Sequence, residues 1–221
     1  MNKLLRVTQL ETFRRYRDDV IGSSEQQVVD SILGLFLGND KTNIGSAFHW
    51  IVENNSADVA TFDKILFDKF GAKLSDEQKH LALSHAKNLG VFTPEIRLNK
   101  TFKTDFGTFT LSGQMDALQG NTIRDNKVTF SPVDMQKYAD SYQWRLYLSI
   151  FELDRFLYDV FEVVDYKEEM GRDITSCKII QHEPFECLRY ENMETDIENL
   201  LYSFCRWVDY RDLWGKIKDV E

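Results

Sequence analysis

The chain has 221 residues, 43% of them hydrophobic, with three prolines and no Gly/Ser-rich or Pro-rich stretch. That supports one domain with a real core and leaves little room for a second. A net charge of −9 weakens any reading based on bulk attraction to nucleic acid, and no apolar run approaches the ~20 residues of a membrane span or the core of a signal peptide.

In "VTQLETFRRYRDD" Thr8 stands three residues before Glu11, the spacing of a capping box, and predicts a helix from about residue 9. "SSEQQVVDSILGLFLG" repeats the signal with Ser24 and Gln27, and Val28, Val29, Ile32, Leu33 and Phe36 form an apolar stripe at helical spacing. "IGSAFHWIVENN" predicts a third helix ending near the asparagines, "TFDKILFDKF" a fourth, and "SDEQKHLALSHAKNLG" a fifth, capped by Ser75 and stopped by Gly90. The period then changes. "EIRLNKTFKT", "GTFTLSGQMDAL" and "NTIRDNKVTF" are runs of β-formers between turn residues, expected as three consecutive antiparallel strands. A helix through "DSYQWRLYLSIFELDRF", strands in "LYDVFEVVDYKEE" and "ITSCKIIQHE", and a closing amphipathic helix in "NMETDIENLLYSFCRWVDYRDLW" complete the pass. The expected class is α+β or mixed α/β: one domain over 1–221, helical over 1–92, with a sheet and helices over 93–221.

The charge is uneven. Residues 152–221 hold 18 acids and 9 bases; subtracted from totals of 36 and 27, that leaves 18 of each in residues 1–151. Arg14, Arg15 and Arg17 form a local basic patch. Cys177, Cys187 and Cys205 are odd in number and irregularly spaced, as expected of reduced thiols in a cytosol-like compartment. His80 and His85, five apart, fall on different helix faces and are read as surface residues.

Four stretches carry chemistry. His49 and Glu53 are i and i+4, on one helix face, although by itself this spacing is a weak signal and more often a surface pair. Asp116 follows Gly113 near a strand end, where an ordinary acid is also common. Asp125 and Lys127 share one face of the next strand, since strand side chains alternate. Two carboxylates such as Asp116 and Asp125, brought close on adjacent strands, repel unless a proton or cation lies between them, and hard oxygen ligands favour Mg²⁺ or Mn²⁺. Gln143 and Tyr147 are again i and i+4 on a helix.

Taken in order, "GSAFHWIVE", "GQMD", "DNK" and "QWRLY" resemble the RecB-type, phage exonuclease-like branch of the PD-(D/E)XK nuclease superfamily, from about residue 6 to 165. The resemblance implies a restriction-endonuclease-like core, with a mixed sheet flanked by helices, and a metal-dependent deoxyribonuclease, an exonuclease more than an endonuclease, of recombination or repair. Asp116, Asp125 and the backbone carbonyl of Asn126 would hold Mg²⁺ or Mn²⁺. His49 would add a ligand, and Glu53 a further ligand or a group supporting them. Lys127 would stand by the attacking water and scissile phosphate. Gln143 and Tyr147 would touch DNA or brace the site, and Glu95 would be supporting or structural.

Some relatives hold an iron–sulfur cluster, but here Tyr16 takes the N-terminal cysteine's place and the three cysteines lie far apart, so no cluster is expected. With no G-x-x-x-x-G-K-[ST] there is no ATP site to expect either. Arg124 has no role on this reading. The expected partner is linear duplex or single-stranded DNA, with a homo-oligomer or a recombination or repair protein as further candidates, in a bacterial or phage-infected cytoplasm. The alternative is a nuclease-fold binding module with an idle or regulatory site, its acidic C-terminal third contacting a protein.

Overall fold

The computed structural model describes residues 2–35 and 38–220, so Phe36 of the predicted stripe lies outside the described residues. The chain opens with a strand, β1 (Asn2–Arg6), inside the segment expected to be helical. It runs straight into α1 (Val7–Arg17), and this overturns the predicted cap. The strand's end sets the helix start two residues early. The Gln9 side chain accepts from the Arg6 N–H at 2.8 Å, while Glu11 reaches the Tyr142 N–H at 2.8 Å instead of closing a box with Thr8.

The other helical signals hold. In α2 (Glu25–Leu33) Ser24 and Gln27 cap each other, the two bonds being 3.0 and 3.3 Å, and in α5 (Asp76–Leu89) Ser75 and Gln78 do the same at 2.9 and 3.3 Å. Of the α2 stripe, Val28 and Ile32 are buried and Leu33 is exposed. Between these helices lie α3 (Asp40–Glu53), capped by Asn39, and α4 (Phe62–Phe70).

The expected three-strand meander is instead two hairpins in two sheets. β3 (Arg97–Thr104) and β4 (Gly107–Gln114) pair antiparallel, with β1 parallel to β4 on its other side, in the order β1-β4-β3. β2 (Thr93–Pro94), β5 (Ala117–Gln119) and β6 (Thr122–Thr129) belong to a second sheet. The ladder runs on between the two: the Met115 N–H donates to the Ile96 carbonyl at 3.0 Å and the Glu95 N–H to the Asp116 carbonyl at 3.1 Å. It bends there because Glu95 adopts φ +50°, a conformation uncommon for any residue but glycine. Bends of this kind re-aim side chains, and this one carries Asp116.

The second sheet continues through β7 (Arg155–Val164), parallel to β6, to β8 (Lys178–Gln181), with β9 (Phe185–Leu188) also beside β7. The helix predicted through Phe156 is shorter: α6 (Met135–Asp140) and α7 (Gln143–Phe151) are separate, and α7 ends where Glu152 turns to φ +56° and frees the chain for β7. α8 (Met193–Tyr210) forms as expected. Along β7, Phe156, Tyr158 and Val160 join a core with α1, α7 and α8, while Phe161 and Val163 join one with α3, α4 and α5. The result is a mixed α/β architecture with a mixed sheet between helical layers. No described helix is long and apolar enough to cross a membrane. Cys177, Cys187 and Cys205 are buried thiols, each in a different element or loop.

Candidate active site

Four elements meet beside the centre of the second sheet. α3 packs against β6, with the Val128 side chain opposite Gly45, so His49 and Glu53 on its flank overlook the strand. The antiparallel register pairs Ala117 with Arg124, which sets Asp116 and Asp125 opposite each other one step further on. The Asn126 N–H donates to Asp116 Oδ2 at 2.9 Å, and His49 Nδ1 lies 3.6 Å from the same oxygen. Alternation along β6 aims Asp125 and Lys127 the same way, and Lys127 Nζ stands 2.7 Å from Asp125 Oδ2. From α7, Gln143 Nε2 donates to Asp125 Oδ1 at 3.2 Å.

Tyr147 donates to the Gln114 carbonyl at 2.8 Å and braces the turn into Asp116, without contacting Asp125 or Lys127 by a hydrogen bond. Its ring lies on Gly113, where a Cβ would come within 2.9 Å of both Tyr147 Cε1 and Ile150 Cδ1. Gly113→Ala should therefore cost about 1–3 kcal/mol by overpacking, read as a fall of several degrees in melting temperature; an unchanged melt would mean that α7 does not seat here.

The acids of this cluster disfavour one another's charge, and Lys127 opposes that repulsion. Burial pushes the Asp125 carboxyl up to about 6, against the pull of Lys127 and with a further push from Asp116. Burial also raises Asp116, again opposed by Lys127. Glu53 rises to about 7 through burial, then through Glu95 and Asp116. Burial followed by the Lys127 ammonium lowers His49 to about 4, so its ring is neutral and free to donate a lone pair. Burial works against the Lys127 charge, but Asp125 and Asp116 together hold it protonated. Glu95, expected only as support, contributes to this acidic cluster from the bend.

The back of β6 explains two residues that sequence reasoning left out or misplaced. Arg124, on the face opposite Asp125, forms a two-pronged ion pair with the fully buried Asp159 (Nε to Oδ2, 2.7 Å) and donates to Gln119 at 3.0 Å. His85 is not a surface residue: it is 2% exposed, and its Nε2 lies 2.9 Å from Asn126 Oδ1, while Gln181 Nε2 lies 3.3 Å from its Nδ1. With the Gln181 amide donating to Nδ1, Nε2–H donates to Asn126. Helical spacing separates His85 from the exposed His80, but only its packing on Phe161 of the sheet shows which one is buried. This network holds the strand segment whose N–H grips Asp116.

The donor set suits a hard divalent cation: carboxylates from Asp116, Asp125 and Glu53, a neutral imidazole from His49, and an Asn126 carbonyl facing that ring. Asp125 Oδ2 is buried with no aligned hydrogen-bond donor, only the Lys127 ion pair. The spacing is open, however. Among the described residues no three His, Cys, Asp or Glu side chains stand at metal-holding geometry, and Lys127 is the cation in contact with Asp125.

A cleft of about 490 Å³ leads away from Lys127, bounded by Arg14 and Arg15 of α1 and by Lys137 and Tyr138 of α6. Three acids also line it, each with a partner: Glu11 pairs with Arg14 and accepts from the Tyr142 N–H, Asp134 caps α6, and Asp140 accepts from Gln136. Arg15 and Lys137 have no acid within ion-pair distance among the described residues, and burial together with Arg15 lowers the Lys137 ammonium.

No family model matches the chain, and no curated protein sequence matches it. Among solved structures, the chain is similar to the crystal structure of SSO0001, at 15% identity and a TM-score of 0.47, covering 90% of this chain and 73% of that one. It is also similar to a phage related exonuclease from Haemophilus somnus 129PT, at 11% identity and a TM-score of 0.42, covering 92% and 81%. Likeness this distant assigns no activity, and the functional reading rests on the site itself.

Proposed function

We propose that the chain is a Mg²⁺- or Mn²⁺-dependent deoxyribonuclease, an exonuclease of phage-type recombination or repair. The observation that carries this reading is the convergence of Asp116, Asp125 and Lys127 at the mouth of a basic cleft. Phosphodiester hydrolysis joins an anionic nucleophile to an anionic phosphate, and this constellation addresses both. Asp116, Asp125 and the Asn126 carbonyl would hold the cation, with His49 and Glu53 beside them. When bound, the cation supplies Lewis acidity at the scissile phosphate. Lys127, displaced from Asp125, orients the attacking water and neutralises charge developing on the phosphorane. Gln143 fixes the Asp125 carboxylate, Tyr147 braces the Asp116 turn, and Arg15 and Lys137 receive the DNA backbone.

A second reading, a DNA- or protein-binding module with an idle site, is favoured by two observations: Lys127 already neutralises Asp125, and among the described residues no three ligands converge. Incubation of end-labelled linear duplex and single-stranded DNA with Mg²⁺ or Mn²⁺, beside closed circular DNA, separates the two. Metal-dependent loss of linear DNA from an end, sparing the circle, is the expected result. A folded protein that degrades none of them moves the assignment to the binding module.

A further inference from the structure

The sheet formed by β1, β4 and β3 has one face against the core and one in solvent. Phe109, Leu111 and Gly113 of β4 point inward, so Thr108, Thr110, Ser112 and Gln114 lie on the outer side, where Thr108 and Gln114 are partly exposed and Thr110 and Ser112 are shielded by their neighbours. The same alternation sends Arg6 outward from β1, and Arg97 and Lys103 from β3, all three exposed. Beyond β1 the C-terminal segment adds a further strand-like stretch. The Leu4 N–H donates to the Lys218 carbonyl at 2.8 Å and the Val220 N–H to the Asn2 carbonyl at 3.2 Å. The exposed Asp219 pairs with Lys3 at 2.8 Å across the bridge between them, which leaves the adjacent residue, Lys218, on the opposite side of the segment.

This face therefore carries four cations, and among the described residues its outward positions include no acid, the exposed Asp219 standing at its edge on Lys3. In a chain of net charge −9 that is a marked segregation. Arg6, Arg97, Lys103 and Lys218 form no ion pair among the described residues. The acid-rich α8 packs in the core on the other side of the sheet, and only its Glu194 and Glu198 reach the β3 edge, where they line a cavity with Lys103. Arg97 contacts Gln114, and β4 runs from there directly through Met115 into Asp116, so the face ends at the candidate site.

We propose that this outer face is a docking surface for the backbone of duplex DNA, which it holds in line with the Asp116–Asp125–Lys127 site. The proposal rests on the nuclease reading and extends it to a substrate class. Charge complementarity to a polyanion selects nucleic acid, and unpaired cations spread over a flat surface contact phosphates without reading sequence. Single-strand binders add aromatic platforms on which bases stack. Here the outward side chains of the described residues include no aromatic and only two apolar ones, Leu4 and Val220, which points to duplex. The eight residues of β4 span about 25 Å at ~3.3 Å each, roughly two-thirds of a turn of B-DNA.

The test is fluorescence anisotropy of a labelled 30-base-pair duplex in Ca²⁺ over a salt series, with cleavage of the same duplex in Mg²⁺ or Mn²⁺ measured separately. The variant is Arg6→Gln/Arg97→Gln/Lys103→Gln/Lys218→Gln. All four positions are exposed, so its melting temperature should match wild type, and Arg6→Lys/Arg97→Lys, which keeps the charge, should bind normally. The quadruple variant is expected to lose affinity by on the order of 10- to 100-fold near 0.1 M salt, its log K against log salt slope becoming shallower by about 3 to 4. Unchanged affinity and slope, with wild type still cleaving, would overturn the docking face and leave the nuclease reading intact. Loss of binding in the variant, with a wild type that binds but never cleaves, would uphold the face and sink the nuclease. Tighter binding of single strand or of duplex RNA than of duplex DNA would overturn the substrate class.

Discussion

Lys127→Ala should lower the rate of DNA cleavage by roughly 10²- to 10³-fold, the range observed when a group aimed at transition-state charge is removed. The ammonium stands 2.7 Å from Asp125 Oδ2, and Asp125 and Asp116 both hold it protonated. Its loss leaves the buried Asp125 facing Asp116 with only the Gln143 amide on it, so the carboxyl of Asp125 rises further and takes a proton more readily. The defect should therefore be partly offset by higher Mn²⁺, which competes for that proton. Single-turnover cleavage at saturating DNA is the direct check. A fall of less than about tenfold there would place Lys127 outside the transition state and leave it a structural counter-ion.

Arg124→Ala should be among the most destabilising single changes in the chain. Asp159 is fully buried, and its carboxylate is held by the two prongs of the Arg124 guanidinium. Removing one partner of such a pair leaves an uncompensated buried charge, a cost of about 3–5 kcal/mol. At 2–4 °C per kcal/mol for a chain of this size, the melting temperature should fall on the order of 10 °C. The double variant Arg124→Met/Asp159→Leu should recover most of that loss, because an apolar pair of similar volume needs no solvation. A single variant that melts with wild type, or a double variant no better than the single, would show that the pair does not hold β6 against β7. Activity should fall with stability in the single variant, since the Asn126 N–H that grips Asp116 belongs to this strand.

Much of the site was legible because its residues are placed by local rules. Helical spacing alone puts His49 with Glu53 and Gln143 near Tyr147, and strand alternation alone puts Asp125 with Lys127. The capping boxes at Ser24 and Ser75 depend on three-residue spacings that tertiary contacts did not override. The misreadings come from positions decided at long range. β1 forms because β4 offers it an edge, which no feature of "NKLLR" discloses, and its arrival displaced the expected cap at Thr8. The predicted strand through Met115 and Asp116 breaks into two sheets because Glu95, in the facing strand, takes a left-handed conformation. His85 differs from His80 only by which helix face the sheet covers. Arg124 looked anomalous in a strand because its partner, Asp159, lies on a strand that becomes its neighbour only through a parallel crossover.

On the proposed mechanism Asp116 and Asp125 close on a divalent cation with Lys127 moving aside. Titration of Mn²⁺ into wild type, Asp116→Asn and Asp125→Asn by isothermal calorimetry tests it most directly. Saturable binding in the wild type, lost or strongly weakened in both variants while their melts remain cooperative, is the predicted result. A wild type that binds no Mn²⁺, or variants that bind it as wild type does, would contradict the account and leave Lys127 as the permanent counter-ion of an idle site.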